Sequence, residues 1–431
     1  MTLLGPSVII CKVGLDRYRR GCLSKKSKYI VGLDVGTTKT CAVICEPNEK
    51  HELDLVGVGT ADSRGLRKGV VVNLDSTVSS IKKAIEDAEK RAGTSAESVF
   101  VGLSGVHVKS FNSRGTVAVN AHTREIGKED IRRVIETAKA ISLPTDREIV
   151  HVLPQEFVVD GQDGIGDPLG LLGTRLEVNC HIVTSSAMAA QNIVTAVNRS
   201  GIIVADTILQ QLASAESTLT ADDKELGVVL IDIGGGTTDI AVFTQGAVRH
   251  TSILPLGGDQ ITNDIAVGLR TSIPEAEKIK RQYGCAWPSL ISEDVSFDVP
   301  SVGGRQPKSI SRKILCEIVQ PRVEEIISLC LEDIRQTGLE KMISGGVVLT
   351  GGTVLLEGMV DVAEQIFDLP VRVGIPGGVN KIGGALASPP YSTVIGLVLY
   401  GYRTHTQRWS KSTQNGNLLS RGATWLKSRF S

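Results

Sequence analysis

An α/β fold of two similarly built lobes is predicted by three features of this sequence. The first is a repeated motif, 30-IVGLDVGTTKTCAVI-44 and 229-VLIDIGGGTTDIAVF-243. Each copy is an apolar strand, an Asp, a glycine-bearing turn, a Thr pair and a second apolar strand. The second feature is the alternation of strand-like and helix-like stretches around the two copies. The third is length, since 431 residues give room for two or more buried cores. The composition is that of an ordinary globular protein, 41% hydrophobic and 22% charged with 46 glycines.

The chemistry of the repeated turns points to phosphate. Glycines let the backbone bend tightly and approach phosphate oxygens, to which amides and Thr hydroxyls donate. Asp34 and Asp232, just ahead of the turns, are placed to hold Mg2+ through water, because that ion prefers oxygen ligands and keeps part of its hydration shell. Two such turns in this order predict an actin-like fold, the duplicated ribonuclease H-like architecture, with ATP between the lobes.

Net charge is zero but uneven. Residues 1–28 carry seven Lys or Arg against Asp16, and residues 401–431 carry six and no acid. The body between them is therefore acidic, which argues against general nucleic-acid binding and for anionic surfaces met at the termini. The eight cysteines are scattered without a CxxC or Cys/His cluster, so reduced buried thiols are expected. Cys41 and Cys45 on one strand would stand roughly 13 Å apart, too far for a disulfide. No apolar run reaches the roughly 20 residues that span a bilayer. The opening 1-MTLLGPSVIICKVGL-15 has no positive charge ahead of its apolar part and is a poor secretory signal. A disordered basic leader over 1–28 is expected, with a true start nearer Lys28 as the competing hypothesis.

Along the chain, 53–61 reads as a strand and 75–91 as a helix capped by Asp75 or Ser76, with Val78, Ile81, Ile85 and Ala88 on one face. A strand follows at 99–105. Then 111–120, a helix over 128–142, and 148–170 form a strand–helix–strand unit whose Gly/Asp/Pro-rich loop at 160–170 is structural. A strand at 174–185, helices at 186–200 and 206–220, a charged helix near 274–284 and a long helix over 313–338 come next. The pattern 345-GGVVLTGGTVLLEGMVDVAEQI-366 is a strand, a glycine pair and a helix. The ordered body closes at 384–401, and 402–416 reads as a polar linker.

Over 29–401 these segments resemble the FtsA family of bacterial actin-like cell-division proteins. The two turns and 348-VLTGGTVLLEG-358 mark only the superfamily of actin, MreB, chaperone ATPases and sugar kinases. The family-like stretches are 153-LPQEFVVDGQDGIGDPLGLLGTRLEV-178, 248-VRHTSILPLGGDQITNDIA-266 and 389-PPYSTVIGLVLYG-401. The resemblance implies a first lobe of 29–111, 180–225 and 376–401, an inserted subdomain over 112–179, and a second lobe of 226–375 with a smaller subdomain at 271–340. It implies that Asp34, Gly36, Thr37 and Thr38 form one phosphate turn and that Asp232, Gly234, Gly235, Gly236, Thr237 and Thr238 form the other. Gly351 and Gly352 would pack on the adenosine. Glu277, Lys280 and Arg281 match a helix beside adenine and ribose, although their spacing is also that of a solvated face. Gln210 takes the place of the water-orienting carboxylate of chaperone ATPases. A Gln orients water but takes no proton, so tight ATP binding with slow hydrolysis is expected.

The last stretch, 417-NLLSRGATWLKSRFS-431, reads as an amphipathic helix. At about 100° per residue, Leu418, Leu419, Gly422, Ala423, Trp425, Leu426 and Phe430 share one arc, and Ser420, Arg421, Thr424, Lys427 and Ser428 the other. About 21 Å long, it cannot span a bilayer but suits the headgroup plane of an anionic membrane. Gly422 weakens it, and Arg429 must snorkel from the apolar arc. With the family resemblance, this implies a filament-forming protein, peripheral on the cytoplasmic side of the plasma membrane at the division septum. It would tether FtsZ, through a tail peptide docked near 271–340, and help recruit later division proteins. A chaperone would need a peptide-binding domain, yet only 30 residues follow Gly401. The alternatives kept are an actin-like platform of type IV pilus assembly and a soluble sugar-kinase-like phosphotransferase.

Overall fold

A computed structural model describes residues 28–120, 123–300, 306–404 and 406. It contains two five-stranded sheets of one topology. In the first, Ile30–Val35, Lys39–Pro47 and Leu53–Asp62 form an antiparallel meander, and Ser98–Leu103 and Ile203–Leu209 add in parallel on the far side of Ile30–Val35. In the second, Val228–Ile233, Thr238–Thr244 and Ala247–Leu254 repeat the meander, and Val347–Thr350 and Val371–Val373 repeat the parallel pair. The motif repeated in sequence is thus the opening hairpin of each sheet. Ile30–Val35 and Val228–Ile233 are buried at every residue, as central strands covered on both faces should be.

Helix Leu74–Ala92 lies on the first sheet through a backbone-to-backbone seam. Gly57 and Gly59, on one face of their strand, meet Ala84, Ala88 and Ala92, which recur every fourth residue of the helix. The expected cap is displaced, because Asn73 rather than Asp75 or Ser76 accepts the backbone N–H of Ser76, and the helix starts one residue earlier. The expected helix over 206–220 is half strand. Ile203–Leu209 pairs in parallel with Ser98–Leu103, and only Gln210–Thr218 is helical. The partner strand lies 100 residues earlier, and this pairing outweighs the local helical pattern.

The four-stranded sheet Lys109–Ala118, Arg175–Ser186, Arg147–Val159 and Gln162–Ile165 is inserted between the fourth and fifth strands that the chain contributes to the first sheet. Helix Lys128–Lys139 covers it over a separate core that includes Val134, Ile135, Val152, Phe157 and Ile182. Part of the loop expected over 160–170 is therefore a short edge strand. This sheet abuts the second lobe, where His181 Nε2 lies 2.9 Å from Thr251 Oγ1 and Nδ1 lies 2.8 Å from Asn112 Oδ1. Burial, with a contribution from His250, pushes His181 down to about 3, so the ring donates to Asn112 and accepts from Thr251 as a neutral imidazole.

Within the second lobe, helices Gly258–Leu269 and Ile273–Tyr283 precede the hairpin Ser296–Val299/Lys308–Ser311 and helix Arg312–Thr337. The long helix carries Pro321 but keeps Leu315, Val319, Val323, Ile327, Cys330 and Ile334 on one buried stripe. A further core joins the lobes. It combines Ile208, Leu209 and Leu212 with Val228, Leu230, Phe243 and Val348, and with Leu397 and Tyr400 of the last described helix, here called the final helix, over 392–404. That helix runs into the stretch expected as linker, with 402–404 and Thr406 helical. The expected amphipathic helix over 417–431, with Leu418, Leu419, Arg421, Trp425, Leu426, Lys427 and Phe430, lies outside the described residues, as does the leader expected over 1–28 apart from Lys28.

Six cysteines, Cys41, Cys45, Cys180, Cys285, Cys316 and Cys330, are free and buried, matching the expected reduced thiols. Among the described residues no helix is long and apolar enough to cross a membrane. The glycine seam supplies a test of packing. A Cβ at Gly59 would lie 1.9 Å from the Ala84 carbonyl oxygen, whereas one at Gly383 meets nothing within 4 Å. Gly59→Val is expected to cost about 3 kcal/mol in a urea unfolding curve, and Gly383→Ala less than about 0.5 kcal/mol. Equal effects at the two positions would refute the seam.

Candidate nucleotide-binding cleft

The two repeated turns face each other across a cleft of about 690 Å³ between the lobes. Their local geometry is the same: Gly36 N–H donates to the Lys39 carbonyl at 3.0 Å, and Gly234 N–H to the Thr237 carbonyl at 2.9 Å. Close approach explains two glycines of the second turn, Gly235 and Gly236. A Cβ at Gly235 would stand 2.0 Å from Thr38 Oγ1, and one at Gly236 2.7 Å from Thr37 Oγ1. Gly351 has φ +93°, and a Cβ there would lie 2.4 Å from Asp232 Oδ1.

Every residue expected at the site except Thr238 lines this cleft: Asp34, Gly36, Thr37, Thr38, Gln210, Asp232, Gly234, Gly235, Gly236, Thr237, Glu277, Lys280, Arg281, Gly351 and Gly352. Thr238 does not; its buried hydroxyl donates to the Leu256 carbonyl at 2.9 Å, since successive strand residues point to opposite faces. Gln210 opens its helix and donates from Nε2 to Asp34 Oδ1 at 3.0 Å. Glu277, Lys280 and Arg281 form one linked group at the cleft, with Lys280 largely buried and Arg281 exposed. Glu277 pairs with Lys280 at 2.7 Å and Arg281 at 2.7 Å, and accepts from Thr262 at 2.6 Å. Burial opposes ionisation of Glu277, yet Lys280, Thr262 and Arg281 together hold it below the usual carboxylate range.

Several residues were missed in the sequence. Lys39 donates to the Pro390 carbonyl at 2.6 Å and stands 3.6 Å from the centre of the Tyr391 ring. Asp239 accepts from Ser104 at 2.5 Å and from Thr237 at 3.0 Å. Its position two places past Thr237 gives it the same strand face, a signal that was available. Asp232 Oδ2 accepts from Ser214 at 2.6 Å and Thr393 at 3.2 Å. Ser104 and Thr393 reach the cleft from distant parts of the chain, and nothing local announces them.

The electrostatics are those of an anionic floor. Burial pushes Asp34 up to about 7, opposed by Lys39 and reinforced by Asp232. Burial pushes Asp239 up to about 7 as well, with Asp232 adding and the Ser104 and Thr237 hydrogen bonds opposing. Asp232 is also raised by burial, against hydrogen bonds from Ser214 and Thr393. Among the described residues no group of three or more His, Cys, Asp or Glu is arranged to hold a metal ion directly. Buried carboxylates of this kind do suit a hydrated Mg2+ held chiefly by phosphate and water.

A pH dependence follows. Without cation or nucleotide, folded Asp34 and Asp239 keep protons to about pH 7 that the unfolded chain releases near pH 4. The folded state binds more protons across that window, so their contribution to stability declines as pH rises through it. Urea midpoints at pH 5 and pH 8 read this slope. Asp239→Asn is expected to flatten it, and Mg2+ to raise the midpoint more at pH 8 than at pH 5; an unchanged slope in the variant would contradict the assignment.

Comparison with known proteins agrees with this geometry. The family model "Cell division protein FtsA" matches residues 229–396, and "SHS2 domain inserted in FTSA" matches 105–184. The chain is 46% identical over 415 residues to the cell division protein FtsA of Pseudomonas aeruginosa, covering 94% of this chain and 99% of that one. It is 39% identical to the Escherichia coli protein, covering 94% and 98%, and 41% identical to that of Bacillus subtilis, covering 86% and 83%. Among solved structures, the PilM–PilN type IV pilus biogenesis complex has a TM-score of 0.63 at 17% identity, covering 86% of this chain and 98% of that one. MreB5 of Spiroplasma citri bound to ADP has a TM-score of 0.54 at 14% identity, covering 91% and 100%. These likenesses are of fold alone, and the fold is actin-like with an inserted SHS2 subdomain. At 39–46% identity over most of its length, the chain belongs to the FtsA family of cell division proteins.

Proposed function

We propose that the cleft binds ATP with Mg2+ and that the protein assembles as a filament on the cytoplasmic face of the plasma membrane, where it anchors FtsZ at the division septum. The observation carrying the nucleotide reading is the pair of glycine–threonine turns facing each other, with buried Asp34 and Asp232 at their roots. Solved actin-like neighbours bound to ADP and AMPPNP support it by analogy of fold.

In this reading, the backbone amides of Gly36, Gly234, Gly235 and Gly236 and the hydroxyls of Thr37, Thr38 and Thr237 donate to the phosphates. Asp34 and Asp232 hold waters of the Mg2+ shell, and the bound ion neutralises phosphate charge. Glu277, Lys280 and Arg281 stand beside the sugar and base, and Gly351 and Gly352 pack under the adenosine. Gln210, tied to Asp34, orients a water without accepting its proton, so hydrolysis is slow and the nucleotide serves as a switch.

The membrane and partner readings come from sequence and family membership. Each basic residue of the tail near an anionic leaflet contributes on the order of 1 kcal/mol, so a single tail binds weakly. Tails arrayed on one filament bind much more tightly through effective concentration. The FtsZ tail peptide is assigned to the smaller subdomain near 271–340. Membership of a cell division family favours this over the pilus-platform and sugar-kinase readings.

Two measurements test the proposal. Gly235→Val is expected to weaken Mg2+-dependent ATP binding at least tenfold, and unaltered affinity would remove the cleft as the site. Co-sedimentation with anionic liposomes and ATP should pellet the full chain but not a chain ending at Gly416. If both remain in solution, the membrane reading fails.

A further inference from the structure

The final helix begins inside the cleft. Ser388, Pro389, Pro390, Tyr391 and Thr393 all line it, and the short turn Pro389–Tyr391 leads directly into the helix over 392–404. The start of that helix is fastened at two kinds of site. One is structural: Ser217 Oγ donates to the Ser392 carbonyl at 2.7 Å, and Thr350 Oγ1 shares a 2.7 Å hydrogen bond with Ser392 Oγ. The other uses side chains that line the cleft itself. Thr393 Oγ1 donates to Asp232 Oδ2, and Lys39 Nζ donates to the Pro390 carbonyl while resting on the Tyr391 ring.

Lys39 is placed awkwardly for a purely structural lysine. It follows the first phosphate turn, lines the cleft, and places a largely buried ammonium against a neutral carbonyl and a ring, with Asp34 and Asp232 nearby. A phosphate oxygen is a stronger acceptor than a carbonyl, because both partners are then charged. A flexible side chain with three donors can transfer between the two. The far end of the helix is held separately: Arg403 lies 3.0 Å from Glu216, and Tyr402 Oη donates to the His51 carbonyl at 2.9 Å.

We propose that Lys39 is a nucleotide-sensing positioning residue, which gives up the Pro390 carbonyl for the terminal phosphate when ATP binds, so that nucleotide sets how firmly the start of the 392–404 helix is anchored. The inference rests on the reading of the cleft as an ATP site. Its physical content is a two-position contact whose balance the nucleotide shifts, and the coupling is reciprocal: whatever clamps the helix start weakens ATP binding by the same factor.

Hydrogen–deuterium exchange across residues 391–400 of the full-length protein tests this, with ATP binding followed in parallel using a fluorescent ATP analogue and Mg2+. In the wild type, ATP should speed exchange in this segment about tenfold or more, and ADP should do so much less. Lys39→Gln without nucleotide should already exchange at the ATP-bound rate and respond no further. Tyr391→Leu, which leaves the ammonium and the carbonyl in place, should keep the ATP response. If Lys39→Gln without nucleotide exchanges like the empty wild type, Lys39 does not hold the helix and the proposal is overturned, whether or not that variant binds nucleotide. An analogue that binds the wild type without altering exchange also overturns it. An analogue that fails to bind the wild type instead removes the ATP reading itself.

Discussion

Three buried carboxylates on facing strands set the terms for this structure. Asp34 and Asp232 end equivalent central strands, and Asp239 lies directly across the ladder from Asp232. Negative charge taken out of water at such spacing is costly unless it is neutralised or hydrogen-bonded. The fold answers with Lys39 and with donors from remote segments, Gln210, Ser214, Ser104 and Thr393. Those donors tie both lobes and the final helix to one point. A site that conserved only its glycine turns, without this surrounding set, would leave the floor of the cleft unstable.

The two turns must also come very near each other. Thr37 and Thr38 occupy the space that side chains at Gly235 and Gly236 would need. The second turn is therefore glycine-rich because of what the first turn places against it, as well as for the sake of phosphate. The shared core of Ile208, Leu212, Val228, Phe243 and Leu397 holds that spacing from behind. Lobe association and phosphate geometry are thus one packing problem.

The sequence made the duplication legible because each copy of the motif is local, and a hairpin with its turn fits within 15 residues. Gly351 and Gly352 and the helix bearing Glu277 and Lys280 were legible through family resemblance. What escaped depends on partners far along the chain. Ile203–Leu209 is apolar enough for strand or helix, and only its pairing with Ser98–Leu103 decides. Thr238 was misplaced because a Thr pair looks symmetrical in sequence, whereas strand alternation sends one hydroxyl inward and the other to Leu256. Nothing local in the sequence marks Lys39, whose partners Pro390 and Tyr391 lie about 350 residues further along the chain.

The setting of the final helix has a mechanical meaning. Added Cβ atoms at Gly32, Gly396 and Gly401 would stand 2.8 Å from the Val394 carbonyl oxygen, 1.7 Å from the Ala213 carbonyl oxygen and 2.6 Å from the Phe100 ring. The helix is therefore dovetailed along its length into the strand that carries Asp34 and the helix that begins with Gln210. A pull directed along the axis of this helix would load these seams in shear, spreading force over many contacts at once, instead of peeling them apart one by one.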